Sequence, residues 1–176
     1  MTAAEVYELT TTGGTTIFKR VIVACEELGP YCLIGGLAVN CYVEPVYTLD
    51  ADLVFVASAL PELTKNLRDQ GFSVTPFEHS LNIVAAGSEL RIQFTKDDRY
   101  QVFLSRSIEA KVLGEMVKVA CLNDVVQGKL WAYSDTKRRL SKRKKDELDL
   151  IRLAESYPEL KSMYPAELRQ LCDFGF

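Results

Sequence analysis

The chain has 176 residues, enough for one domain with a sizeable core. Its 48% hydrophobic and 26% charged residues are those of an ordinary globular protein, and a net charge of −3 excludes a nucleic-acid signature spread over the whole chain. Five scattered cysteines (Cys25, Cys32, Cys41, Cys121, Cys172), no CxxC pair and a single histidine argue against a zinc site or a disulfide framework, and for free thiols in a reducing compartment.

Residues 1–14 end in the polar "TTTGG" and read as a loop after a short element. From Ile17 to Leu28 the apolar Phe18, Val21, Ile22, Cys25 and Leu28 recur at three and four, which predicts a helix stopped by Gly29-Pro30. "YCLIGG" predicts a short buried strand running into glycines, and "LAVNCYV" carries helical spacing from Leu37 through Cys41. Residues 50–57, "DADLVFVA", form the next strand, and "LPELTKNLRDQGF" a helix with Leu60, Leu63 and Leu67 inward and Gly71 as its stop. Between Phe72 and Val119 the pattern turns to short β-type runs: "FSVTPF", "LNIVAA", "ELRIQFT", "YQVFL", "EAKVLG" and "MVKVA". Alternation puts Leu90, Ile92 and Phe94 on one side of a half-exposed strand, with Arg91 and Gln93 on the other. Asn123 is expected to cap a helix reaching about Tyr133. A second helix runs from about Ser141 to Ser156, with Leu140, Lys144, Leu148 and Ile151 along one face, and a short last helix lies near 165–172. The fold class is therefore α+β: a mixed sheet within residues 1–120 flanked by helices, and a helical portion, 121–176, packed on it as one unit.

The chemistry concentrates in "GGLAVNCYVEPVYTLDADLVF", residues 35–55. Asp50 and Asp52 are two apart in a strand, so both carboxylates project from one face, roughly 7 Å apart. Adjacent anions repel unless a cation, hydrogen bonds or water offset the cost, and Mg²⁺ is the natural partner because it takes one or two carboxylates and leaves its other positions to water and phosphate oxygens. Gly35 and Gly36, between a strand and a helix, let a phosphate approach backbone N–H groups. An Asp-x-Asp alone is equally at home on a solvated strand face. Here thirteen residues separate Gly36 from Asp50, and Thr48 stands two before Asp50.

That spacing resembles the signature of the nucleotidyltransferase superfamily, and within it the AbiEii/AbiGii-type toxin nucleotidyltransferases of bacterial toxin–antitoxin and phage-defence systems. The likeness continues in "LNDVVQGKLWAYSDTKRRLSKRKKDELDLIRL", which is similar to that family's lysine-bearing helix and the Lys-Lys-Asp helix after it. The resemblance implies a Mg²⁺-dependent transfer of a nucleoside monophosphate from an NTP to a hydroxyl on RNA or protein. Gly35, Gly36 and Thr48 would contact the nucleotide, Asp50 and Asp52 would hold the metal, Lys129 would approach phosphate, and Asp146 would support the site. A cognate antitoxin protein is the implied partner. Two positions depart from the pattern. Gln93 stands where a third carboxylate is expected, and an amide cannot take a proton. Val46 stands where many relatives carry an arginine. Glu89, Asp97 and Asp98 lie nearby but outside the motif's register. The alternative is a catalytically weakened member of the same fold that binds nucleotide or RNA without transfer.

The run "KRRLSKRKK", residues 137–145, has seven basic residues in nine. Lys137, Arg138, Arg139, Lys142 and Arg143 could contact a tRNA or other RNA; equally, the run could be a solvated helix start with Lys142–Asp146 and Lys145–Asp149 pairs. His79 reads as a hairpin-turn residue, and Trp131 and Tyr133 as core packing. With no basic-then-apolar leader and no stretch of roughly 18 apolar residues, a cytoplasmic protein with no membrane partner is expected.

Overall fold

The computed structural model describes residues 2–174. Helices α1 (Ala3–Thr11) and α2 (Gly14–Leu28) lead into strand β1 (Tyr31–Ile34), the short α3 (Gly35–Val39), β2 (Asp50–Phe55) and α4 (Leu60–Asp69). Next come β3 (Ser73–Pro76), β4 (Ser80–Val84), β5 (Arg91–Thr95), a 3-10 helix (Asp98–Arg106), β6 (Ile108–Val112) and β7 (Glu115–Val119). The chain continues through α5 (Leu122–Ser134), α6 (Leu140–Ser156), a second 3-10 helix (Pro158–Met163) and α7 (Ala166–Asp173). The strands make one mixed sheet in the order β3-β4-β5-β2-β1-β7-β6, with β2/β5 and β1/β7 parallel and the other pairs antiparallel.

The alternation in β2 and β5 decides what each face of the sheet carries. Ala51, Leu53, Ile92 and Phe94 are all but fully buried. Asp50, Asp52, Arg91 and Gln93 take the opposite face. In α2, Phe18, Val21, Ile22 and Cys25 are buried as their spacing predicts, and so are Leu63 and Leu67 of α4, which packs on α2. His79 lies between β3 and β4, in the expected turn.

Four local expectations change. The short element before the "TTTGG" loop is a helix, residues 3–11, held by a reciprocal capping box of Thr2 and Glu5, and it runs into that stretch, so that the loop shrinks to Thr12, in a left-handed conformation, and Gly13. "YQVFL" is not a strand. It lies in the first 3-10 helix, where the Asp97 side chain accepts from the Arg99 N–H and Phe103 is buried against Tyr100 and Trp131. The N-cap of α5 is Cys121, with Asn123 already inside the helix. In α6, Leu140 and Leu148 are exposed, and the buried face is Asp146, Leu150, Leu153 and Ala154. Hydrophobic spacing misses this face because one of its members is a carboxylate that is buried only by virtue of its ion pairs.

Candidate active site

Strand β1 ends at Ile34, whose register partner in β2 is Asp52, and the backbone turns at once into α3. Gly35 makes that turn at φ +70°, and a Cβ built there would sit 2.3 Å from Asp52 Oδ2. Only glycine fits both demands, the left-handed backbone and the close approach of the carboxylate. Thr48 and Gly36 face each other behind this turn, and Thr48 Oγ1 accepts from the Asp50 N–H at 3.2 Å. Both oxygens of Asp50 are held by cations: Arg91 Nε lies 2.8 Å from Oδ1, and Lys142 Nζ lies 3.0 Å from Oδ2. Asp52 is half-buried, and desolvation pushes its carboxyl above the ordinary carboxylate range; Lys129 pulls it back down, Asp50 pushes it up, and Lys142 and Arg138 oppose that push.

Except for Gly36 and Thr48, which are not among its lining residues, these groups border a cavity of about 1140 Å³ between the polar face of the sheet and helices α5 and α6. Gly35, Asp50, Asp52, Gln93, Lys129 and Asp146 all line it. Lys129 is clasped by two carboxylates, Asp149 at 2.7 Å and Asp146 at 2.9 Å, while Arg138 holds the second oxygen of Asp146 at 2.8 Å. Burial alone would depress the Lys129 ammonium; Asp149 and Asp146 outweigh it, so its pKa is raised and it stays charged. Of the basic run, Lys137, Arg138 and Lys142 line the cavity. Outside it, Arg139 donates to Ser141 Oγ at 3.4 Å and Arg143 to the Tyr133 carbonyl at 3.1 Å. Neither expected i,i+4 pair is made: Lys142 reaches Asp50, and Asp149 pairs with Lys129 and Arg152.

Gln93 pairs in register with Asp52 on one side and with Asn82 of β4 on the other, so the carboxylate continues into two amides across the sheet. Of the nearby acids, Glu89 and Asp98 are not among the residues lining the cavity, and the two that line it, Asp97 and Asp124, are paired with arginines. Asp97 is chelated by Arg99, and the buried Asp124 takes two hydrogen bonds from Arg106 at 2.8 and 3.0 Å. Among the described residues no three Asp, Glu, His or Cys side chains converge as a metal cluster. Two hard oxygen donors on one strand face suit a single Mg²⁺ that completes its shell with water and phosphate oxygens. Val46 is exposed, its backbone tied to the Asn40 side chain, and the cation that reaches Asp50 from the sheet is Arg91 of β5. Alternation alone puts Arg91 on the half-exposed side of its strand and no further. Its shared parity with Gln93 was the available signal.

A Gly-Gly turn against an Asp-x-Asp strand, on the polar face of a mixed sheet covered by two helices, is the arrangement of a nucleotidyltransferase fold, and this chain has that fold. Its solved likenesses include the antibiotic-resistance factor ANT(2'')-Ia, at 15% identity, over 92% of this chain and 90% of that one, with a TM-score of 0.61. The lincomycin-bound lincosamide antibiotic adenylyltransferase LnuA aligns at 13% identity over 78% of this chain and 93% of that one, TM-score 0.53. An antigenic nucleotidyltransferase-like protein from Paracoccidioides brasiliensis aligns at 18% identity over 93% and 88%, TM-score 0.53. No family model matches the sequence, and neither does any curated protein. Among the described residues no helix is long and apolar enough to cross a membrane.

Proposed function

We propose that the chain transfers a nucleoside monophosphate from a Mg²⁺-bound NTP to an acceptor hydroxyl. The observation that carries this reading is the pair Asp50 and Asp52 on the cavity face of β2, with the Gly35 backbone pressed against Asp52. Asp50 and Asp52 would hold the metal, which when bound neutralises charge on the phosphoryl oxygens and the departing pyrophosphate. Gly35 keeps side chains out of the approach to Asp52, Gly36 and Thr48 shape the turn behind it, and Lys129, fixed by Asp146 and Asp149, directs positive charge toward Asp52.

For the acceptor, the resemblance to AbiEii-type toxins supports RNA or protein, with a tRNA and a cytoplasmic toxin–antitoxin pairing as the specific case. The neighbours add a third class: ANT(2'')-Ia was solved with adenylyl-2''-tobramycin and LnuA with lincomycin, both small molecules. Incubation with α-labelled NTPs, Mg²⁺, and total tRNA, cell lysate or aminoglycosides separates the classes. A labelled product that disappears in Asp50→Ala/Asp52→Ala is expected; no product from the wild type would remove the transfer reading.

One observation favours a second reading, binding without transfer: no acid stands beside Asp52 on β5, where Gln93 takes the register position. Gln93→Asp supplies a base there. Transfer that first becomes measurable in this variant would support the second reading, and wild-type turnover that Gln93→Asp leaves unchanged would count against it.

A further inference from the structure

The basic run divides in two. Lys137, Arg138 and Lys142 line the cavity, whereas Lys144 pairs with Glu147 at the surface and Arg143 folds back on the Tyr133 carbonyl. From the sheet, Arg91 enters the same cavity on the strand face that carries Gln93. The two side chains that meet at Asp50 come from separate elements, β5 and α6, and each takes one carboxylate oxygen, at 2.8 and 3.0 Å. A surface that tracks an RNA backbone spreads its cations along solvent. Arg91 and Lys142, both part-exposed, instead converge on a single carboxylate, Asp50, which the nucleotide reading assigns to the metal.

A polyphosphate beside Asp50 presents anionic oxygens to the same two cations, and guanidinium and ammonium groups bind phosphate through strong charge-assisted hydrogen bonds. We propose that Arg91 and Lys142 are the triphosphate-binding cations of this cavity, and that their ion pairs with Asp50 set its metal and polyphosphate affinities against each other. The proposal rests on the nucleotide reading of the site and moves Lys142 from the RNA-contact set to the nucleotide. A cation that shares Asp50 weakens the carboxylate's hold on a divalent metal by repulsion, and strengthens the cavity's hold on a polyanion by attraction. Its removal must therefore shift the two affinities in opposite directions.

The test titrates the full chain with sodium tripolyphosphate in the presence of a chelator and, separately, with Mn²⁺ alone. Lys142→Met and Arg91→Met are each expected to weaken tripolyphosphate binding about tenfold, the loss of one charge-assisted contact. They are expected to tighten Mn²⁺ binding about threefold, as for a partly exposed ion pair. Lys142→Arg restores both values, and Lys144→Met/Lys145→Met changes neither. A misfolded variant would lose both affinities together, so the opposed signs separate a binding role from a structural one. Tripolyphosphate affinity that is unchanged in both single variants overturns the proposal. So does a fall in tRNA affinity without one for tripolyphosphate, or a wild type that binds no tripolyphosphate. A wild type that shows the opposed shifts yet transfers no nucleotide would refute the transfer reading and leave this one standing.

Discussion

Gly35→Ala and Gly36→Ala differ by one position and should behave oppositely. At Gly35 an alanine must hold φ near +70°, a region that costs a non-glycine residue about 1–3 kcal/mol. Its Cβ would also lie 2.3 Å from Asp52 Oδ2 and 3.0 Å from Asp52 Cβ, so the carboxylate has to move. Taking about 2 kcal/mol for the backbone alone, the midpoint of thermal unfolding falls by about 4–8 °C for a chain of this size. At Gly36 the nearest group outside its own turn is Thr48 Cγ2, 3.7 Å from the built Cβ, which is ordinary contact, and alanine in a helix is favoured over glycine by up to about 1 kcal/mol. Thermal melts followed by circular dichroism, with calorimetric titration of Mn²⁺ into each variant, read both effects. Gly35→Ala is expected to lower the midpoint and abolish or greatly weaken metal binding, with Gly36→Ala at or above wild-type stability. A Gly35→Ala protein with wild-type midpoint and wild-type metal affinity would refute the reasoning.

Asp146→Ala removes a nearly fully buried carboxylate from Lys129 and Arg138, and denaturant unfolding should show a loss of about 3 kcal/mol, as when one partner of a buried ion pair is deleted. Lys129 has a raised pKa in the folded chain, so its ion pairs contribute fully below the unfolded lysine value of about 10.4; that contribution is lost as the pH rises through the higher folded value. Unfolding free energies measured from pH 8 to 11 should thus fall at the alkaline end in the wild type, and fall less in Lys129→Met. Trp131 stacks on Phe103 at 5.7 Å, meets Tyr100 edge-on at 5.1 Å and lies under the Arg99 guanidinium at 4.6 Å, so Trp131→Ala should cost about 2 kcal/mol in the same assay.

Where burial follows apolar spacing, the sequence was a sufficient guide: α2, α4 and the alternating Leu90, Ile92 and Phe94 sit as their periodicity requires. It misled where polar groups are buried in partnership. The inner face of α6 turns on Asp146, and nothing in the spacing of Leu140 or Leu148 reveals that Lys129 and Arg138 lie ready to receive that carboxylate. Tyr100 to Leu104 looked strand-like because composition does not register a cap from Asp97 or a stack on Trp131. At the candidate site, the carboxylates, Gly35, Lys129 and Gln93 were legible from motif order, and the structure brings all of them to one cavity. Arg91 and the direction of Lys142 were not, since both depend on which strand lies beside β2 and on how α6 crosses it.

The central claim is that Asp50, Asp52 and the Gly35 turn form a metal-nucleotide site. Its most direct test is calorimetric titration with a non-transferable α,β-methylene NTP, with and without Mg²⁺, against the wild type and the near-isosteric Asp52→Asn. Saturable binding that requires Mg²⁺ in the wild type and is lost in Asp52→Asn is expected. Absence of binding to the wild type, or equal binding to both proteins, would contradict it.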